Sequence, residues 1–102
     1  MAHKVHLRKQ ALESLWEAMS WYNEQRPGLG HELQQEFFDH LKKLADHPTQ
    51  HPLVFDRFRR ILLKRFPYKV VYSIDERRKI VFIAVLWHIK RNPENLKKLL
   101  NK

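Results

Sequence analysis

Ile80-Val81-Phe82-Ile83-Ala84-Val85-Leu86-Trp87-His88 is the stretch that decides the architecture of this chain. With Lys79 in front of it, the run is β-branched, aromatic and aliphatic throughout until His88. On strict alternation, Ile80, Phe82, Ala84 and Leu86 fall on one side and Val81, Ile83, Val85 and Trp87 on the other. A strand that is apolar on both sides belongs in the middle of a sheet covered on both faces. From Ile80 to Trp87 it is also the longest apolar run in the chain, and it is far short of the roughly 20 residues that cross a bilayer.

Reading backwards, Asp75-Glu76-Arg77-Arg78 is a turn. Before it Tyr68, Val70, Tyr72 and Ile74 alternate with Lys69, Val71, Ser73 and Asp75, the period of a strand. Pro67 breaks the pattern, and Arg59 to Phe66 reads as another strand. Pro48 to Pro52 is a polar connection, and upstream of it the period changes from 2 to about 3.6. Leu33, Phe37, Leu41 and Leu44, with Phe38 and Ala45 beside them, mark a helix. It should stop near Asp46-His47-Pro48, because the residue before proline resists helical geometry. Leu12, Leu15, Trp16, Met19 and Tyr22 mark an earlier helix from about Arg8 to Gln25, and Arg26-Pro27-Gly28-Leu29-Gly30 separates the two. Lys4-Val5-His6-Leu7 is a short strand. Beyond His88, Asn92 can cap a last helix that starts at Pro93, has Glu94 in its first turn, and packs through Leu96, Leu99 and Leu100.

The resulting order is β-α-α-β-β-β-α. It predicts an α+β domain over residues 1–102, with a helical hairpin packed on one face of a largely antiparallel four-stranded sheet. The other face is left partly free. Alternation sends some of Arg59, Arg60, Lys64, Arg65 and Lys69 to it. The aromatic stripes of the helices read as core, not as a cofactor pocket.

Composition narrows the function. At 102 residues, 43% hydrophobic and 30% charged, the chain is one small globular domain. It contains no cysteine, which excludes disulfides, a thiolate nucleophile and a zinc–thiolate site. The segment Met1 to His6 has no signal-peptide core, and a cytoplasmic protein is expected. The net charge of +9 is lopsided. Residues 1–56 hold 6 basic and 8 acidic residues, whereas residues 57–102 hold 14 basic and 3 acidic. A half-chain at +11 favours polyanions or an acidic protein partner over a merely solvated surface.

No metal and no cofactor are expected. His47 and His51 have helical ligand spacing, but Pro48 lies between them and no third ligand is placed beside them. The glycines lie between helices, so there is no phosphate loop, and none of the serines sits in a nucleophile motif. His88 is the histidine of interest. It ends the most apolar strand just before Lys90 and Arg91, where it could serve as a general acid or base, or simply cap and pack. A metal-independent phosphodiester cut needs cations around the phosphate and a group to move the 2′-hydroxyl proton. Arg59, Arg60, Arg65, Lys69, Lys90 and Arg91 could supply the cations and His88 the proton transfer. The same cations, with Lys64, could equally bind acidic side chains or nucleic acid without any chemistry.

Three segments together resemble one family. They are Arg60-x-x-x-Lys64-Arg65-Phe66-Pro67-Tyr68-x-Val70-x-Tyr72, then Ile80 to Val85, then His88-x-x-Arg91-x-Pro93. With Tyr22-x-x-x-x-Pro27-Gly28-Leu29-Gly30-x-x-Leu33-x-x-x-Phe37 and Pro48, they are similar in order and spacing to the RelE/ParE toxins of bacterial type II toxin–antitoxin modules. The resemblance implies a helical hairpin on an antiparallel sheet, and a growth-inhibiting toxin neutralised by a cognate antitoxin. It also implies one of two targets: DNA gyrase for ParE-like members, or mRNA on the ribosome for RelE-like ribonucleases. In the ribonucleases the resemblance assigns chemistry to cations matched here by Lys69 and by Lys90 or Arg91, often with a tyrosine in the last helix. The segment Pro93 to Lys102 has no tyrosine. The Arg65-Phe66-Pro67-Tyr68 and His88-x-x-Arg91-x-Pro93 motifs look ParE-like. Action on gyrase is the leading expectation, with a ribonuclease using His88, Arg65 and Arg91 as the alternative, and a degenerate, non-toxic basic interaction module as the third.

Overall fold

The computed structural model describes residues 2–101. In chain order they form β1 (Lys4–Leu7), α1 (Lys9–Gln25), α2 (Leu29–Asp46), β2 (Leu53–Phe55), β3 (Phe58–Leu62), β4 (Tyr68–Asp75), β5 (Ile80–His88) and α3 (Pro93–Leu100). The strands make one sheet in the order β1-β5-β4-β3-β2. β5 is thus an interior strand, between β1 and β4, as its two apolar sides require. β1 runs parallel to it, Lys4 opposite Ile80 through Leu7 opposite Ile83, and the other neighbours are antiparallel.

The α+β class and the hairpin-on-sheet layering agree with the sequence reading, but the sheet has five strands where four were expected. The extra strand is Leu53-Val54-Phe55, which turns through Asp56 and Arg57 into β3. Three residues are too few to display an alternating period, and a φ of 52° at Asp56 makes the turn without glycine. β3 also ends early, at Leu62 and not at Phe66. The Glu36 carboxylate on α2 accepts the backbone N–H groups of Lys64 and Arg65, at 2.5 and 3.0 Å, and this draws the segment off the sheet.

Strict alternation also fails once inside β5. Val71 pairs with Val85 and Tyr72 with Ile83, which leaves Ala84 as an extra residue, a β-bulge. The bulge shifts the phase. Val81, Ile83 and Leu86 face the helical hairpin, while Ala84, Val85 and Trp87 face the opposite side. That opposite side is not free. Leu96 of α3 packs there with Phe58, Val71, Val85 and Trp87, so the sheet is covered on both faces.

The hairpin closes through two glycines with different tasks. Gly28 precedes α2 with φ at 91°, a left-handed conformation that side chains disfavour. Gly30 lets the two helices touch: its N–H donates to Asn23 Oδ1 at 2.8 Å, and a Cβ there would collide with the Met19 carbonyl oxygen. α1 buries Ala11, Leu15, Ala18 and Met19. Leu12 and Trp16, expected in the core, lie one step round the helix and are 41% and 59% exposed. Ser14 then fastens α1 to the sheet, its Oγ accepting the Leu86 N–H at 2.9 Å beyond the point where β1 ends. α3 starts as its sequence dictates, with Asn92 Oδ1 accepting the Glu94 N–H at 2.9 Å and Pro93 in the first turn. No helix among the described residues is long and apolar enough to cross a membrane.

Candidate functional site

The motif residues collect where β4 begins and β5 ends. Tyr68 stands opposite His88 in the ladder, with ring centroids 5.0 Å apart and edge to face. Tyr22 of α1 makes the same kind of contact with Phe66 at 5.0 Å and with Tyr68 at 6.2 Å. Burial raises the pKa of the Tyr68 hydroxyl, with a smaller contribution from Tyr22, and burial alone raises that of Tyr22. Both phenols therefore stay neutral and act as apolar surface with a polar tip. Beside them a cleft of about 210 Å³ is lined by Tyr68, His88 and Arg91, with Glu17, Ala18 and Trp21 from α1. Trp21 is 54% exposed at its mouth.

His88 is constrained within this cleft. Its Nδ1 faces the Lys90 N–H at 3.1 Å and accepts from it. That contact occupies Nδ1 as an acceptor. Arg91 sits over the Trp87 ring, 4.0 Å from the centroid, so it bridges the end of the sheet from the α3 face to the cleft. Trp87 is 1% exposed, and its Nε1 has no hydrogen-bond partner among the described residues.

The remaining cations are dispersed. Arg65 reaches Glu32 of α2 and lines a separate cavity with His31, Gln35 and Asp39. The Arg65 guanidinium, ahead of that of Arg26, holds the Glu32 carboxyl below the usual carboxylate range. Lys64 is exposed and is anchored only through its backbone. Arg59 donates to the carbonyls of His51 and Thr49, at 2.6 and 3.3 Å, and so holds the loop after α2. Tyr72 holds the same loop from the sheet, donating to the Pro48 carbonyl at 2.6 Å; burial pushes its pKa up to about 12. Arg60 and Lys69, opposite Val71 and Trp87 in the ladders, lie on the α3 face. Burial lowers the Lys69 pKa, and the charge of Arg60 lowers it further. Lys90 is exposed just past β5.

The structure thus brings His88 and Arg91 to one cleft, puts Arg60 and Lys69 on the opposite face of the sheet, and takes Arg65 to α2. Glu32 and Glu36 are the residues the sequence reading missed. Their spacing of four on α2 puts them on one face, but nothing local says that this face meets the β3–β4 loop. Tyr22 and Tyr68 were read as packing and motif residues, not as part of the site.

A family model described as the ParE toxin of the type II toxin–antitoxin system matches residues 5–93. The chain belongs to that family. It is the toxin of a type II toxin–antitoxin module. Solved structures of the same fold include the chromosomal ParDE system from P. aeruginosa. That match has 16% identity, a TM-score of 0.77, and covers 87% of this chain and 98% of that one. The intact E. coli RelBE toxin–antitoxin complex matches at 17% identity and TM-score 0.69, over 88% of this chain and 100% of that one. The isolated E. coli RelE toxin matches at 16% identity and TM-score 0.67, over 98% of both chains. No curated protein matches the sequence. The Arg65-Phe66-Pro67-Tyr68 segment fastens the β3–β4 loop to the helical hairpin. The Gly28-Leu29-Gly30 motif closes that hairpin.

Proposed function

We propose that this toxin arrests bacterial growth in the cytoplasm by binding DNA gyrase, without cutting RNA, and that a cognate antitoxin neutralises it. The observation that carries the reading is the scatter of the cations a phosphodiester cut would need, of which Arg91 alone lines the His88 cleft. His88 lies on the hairpin side with its Nδ1 occupied, Arg65 is paired with Glu32, and Arg60 and Lys69 are on the other side of the sheet. Proton transfer and phosphate stabilisation require both kinds of group within hydrogen-bond reach of one substrate. A binding toxin needs only a shaped surface with charge, and the +11 half-chain supplies that charge. The match to the ParE family model supports the same choice. An antitoxin partner is supported by the neighbours that are themselves toxin–antitoxin complexes.

One observation favours the ribonuclease reading. Lys69, with its lowered pKa, sits beside Arg60 on the α3 face, to which Arg91 also reaches over Trp87. The test is induced expression with mRNA cleavage mapping, combined with a gyrase supercoiling assay on purified toxin. Loss of supercoiling with intact mRNA is the expected outcome, and His88→Ala should then act only through packing. A metal-independent RNA cut that falls by roughly 10²–10⁴ in folded His88→Ala would overturn the proposal. Absence of both effects would point to a non-toxic interaction module.

A further inference from the structure

A second basic cluster, which no family motif marks, lies towards the other end of β5. Phe82 stands opposite Ser73 in the β4–β5 ladder. The guanidinium carbons of Arg8 and Arg78 lie 4.7 and 5.5 Å from the centroid of the Phe82 ring. Arg57, in the turn between β2 and β3, stacks on Phe58 at 4.7 Å. Stacking of this kind holds a guanidinium in place while leaving its N–H edge free to donate. Arg8, Arg57 and Ser73 line two adjoining cavities. The inner one, about 170 Å³, is completed by Gln10, Ala84 and the α3 residues Leu99 and Leu100. The outer one, about 390 Å³, opens towards Arg78.

The charges in this cluster do not cancel. Asp75 and Glu76 line the outer cavity, but Asp75 is engaged by Arg78 at 2.7 Å, and Glu76 by Lys79 and His3 at 3.3 Å each. Arg57 meets only Asp56, at 3.2 Å and exposed, a pair of little strength in water. Among the described residues Arg8 has no acidic partner, and none of their carboxylates lines the inner cavity. Ser73, 7% exposed, adds a buried hydroxyl to its lining. A buried hydroxyl near two fixed guanidiniums, with a carboxamide beside them, is a donor set for a tetrahedral oxyanion.

We propose that Arg8, Arg57, Ser73 and Gln10 form a phosphate-binding site, with Arg78 at its outer rim. The site stands apart from the His88 cleft and does not depend on which target the toxin attacks. Its ligand is a phosphate ester, carried either on a nucleic-acid strand or on a free small molecule.

The probes are inorganic phosphate and a short oligothymidylate, titrated into the full-length toxin while backbone amide shifts are followed by NMR. Saturable shifts centred on Phe58, Ser73 and Ala84 are expected. Arg57→Gln should weaken binding by about 10- to 100-fold, the loss of one charged hydrogen-bond partner. Lys43→Ala, which removes an equal charge elsewhere, should leave it unchanged. Arg8→Gln should act like Arg57→Gln; because Arg8 packs on Phe82, the exposed Arg57 carries the test if Arg8→Gln does not fold. Displacement of phosphate by the oligonucleotide, with a salt slope reduced by about one in Arg57→Gln, would assign the site to a strand backbone. Occupancy by inorganic phosphate alone would assign it to a free phosphate ester. Unsaturable shifts, or equal weakening by Lys43→Ala and Arg57→Gln, would overturn the proposal.

Discussion

Replacing Gly30 by alanine sets two effects of opposite sign against each other. Gly30 lies in the first turn of α2, and on helix propensity alone alanine should gain up to about 1 kcal/mol. The tertiary structure opposes this. The new Cβ would meet the Met19 carbonyl oxygen and stand 2.8 Å from both Cγ and Nδ2 of Asn23. Asn23 can rotate away, but the Met19 carbonyl belongs to the α1 backbone and can yield only if the helices part. Overpacking of this sort costs about 1–3 kcal/mol. Parting the helices also stretches the bond from Gly30 N–H to Asn23, about 0.5–1.5 kcal/mol more. The net is a destabilisation of about 2 kcal/mol, or about 8–16 °C in Tm for a domain of this size. Thermal unfolding by circular dichroism should be compared for wild type, Gly30→Ala, Asn23→Ala and the double variant. Asn23→Ala should lose only its hydrogen bond. The double variant should remain less stable than Asn23→Ala, because the backbone clash persists. A Gly30→Ala protein as stable as wild type, or a double variant no worse than Asn23→Ala, would refute the close helix approach.

The other expectations concern the core and the loop clamp. Ile83→Ala should cost about 2–5 kcal/mol, because Ile83 is 0% exposed on the interior strand β5; Ile80→Ala, at its half-buried end, should cost clearly less in chemical denaturation. Glu36 should make stability pH-dependent in one direction. Burial works to raise its pKa, but the bonds from Lys64 N–H, His40 and Arg65 N–H outweigh it, and the net shift is downward. A carboxyl whose folded pKa lies below its unfolded value contributes stability that is complete above the unfolded value and is lost as pH falls through the folded one. Glu36→Gln should therefore flatten the fall of Tm between about pH 5 and 3, and an unchanged slope would remove Glu36 from the clamp.

The elements that rest on local chemistry were legible before any tertiary contact was known. The run from Ile80 to His88 could only be an interior strand, because no other position hides apolar side chains on both sides. Pro48, the Gly28-Leu29-Gly30 break and the Asn92-Pro93 start act within a few residues of where they stand, so both helical boundaries of the hairpin and the start of α3 were legible. What the tertiary structure alone decided are the features that depend on partners distant in sequence. Strand β2 is too short to announce itself and exists because β3 pairs with it. The bulge at Ala84 changes which of Val85, Leu86 and Trp87 faces which layer, and alternation cannot register a single inserted residue. Covering of the second face by α3 turned an expected free basic surface into a core with cations at its margins. The site followed the same division. His88 and Arg91 are close in sequence and meet at one strand end, whereas Arg65 was taken elsewhere by Glu32, a carboxylate 33 residues away whose approach only the packed fold creates.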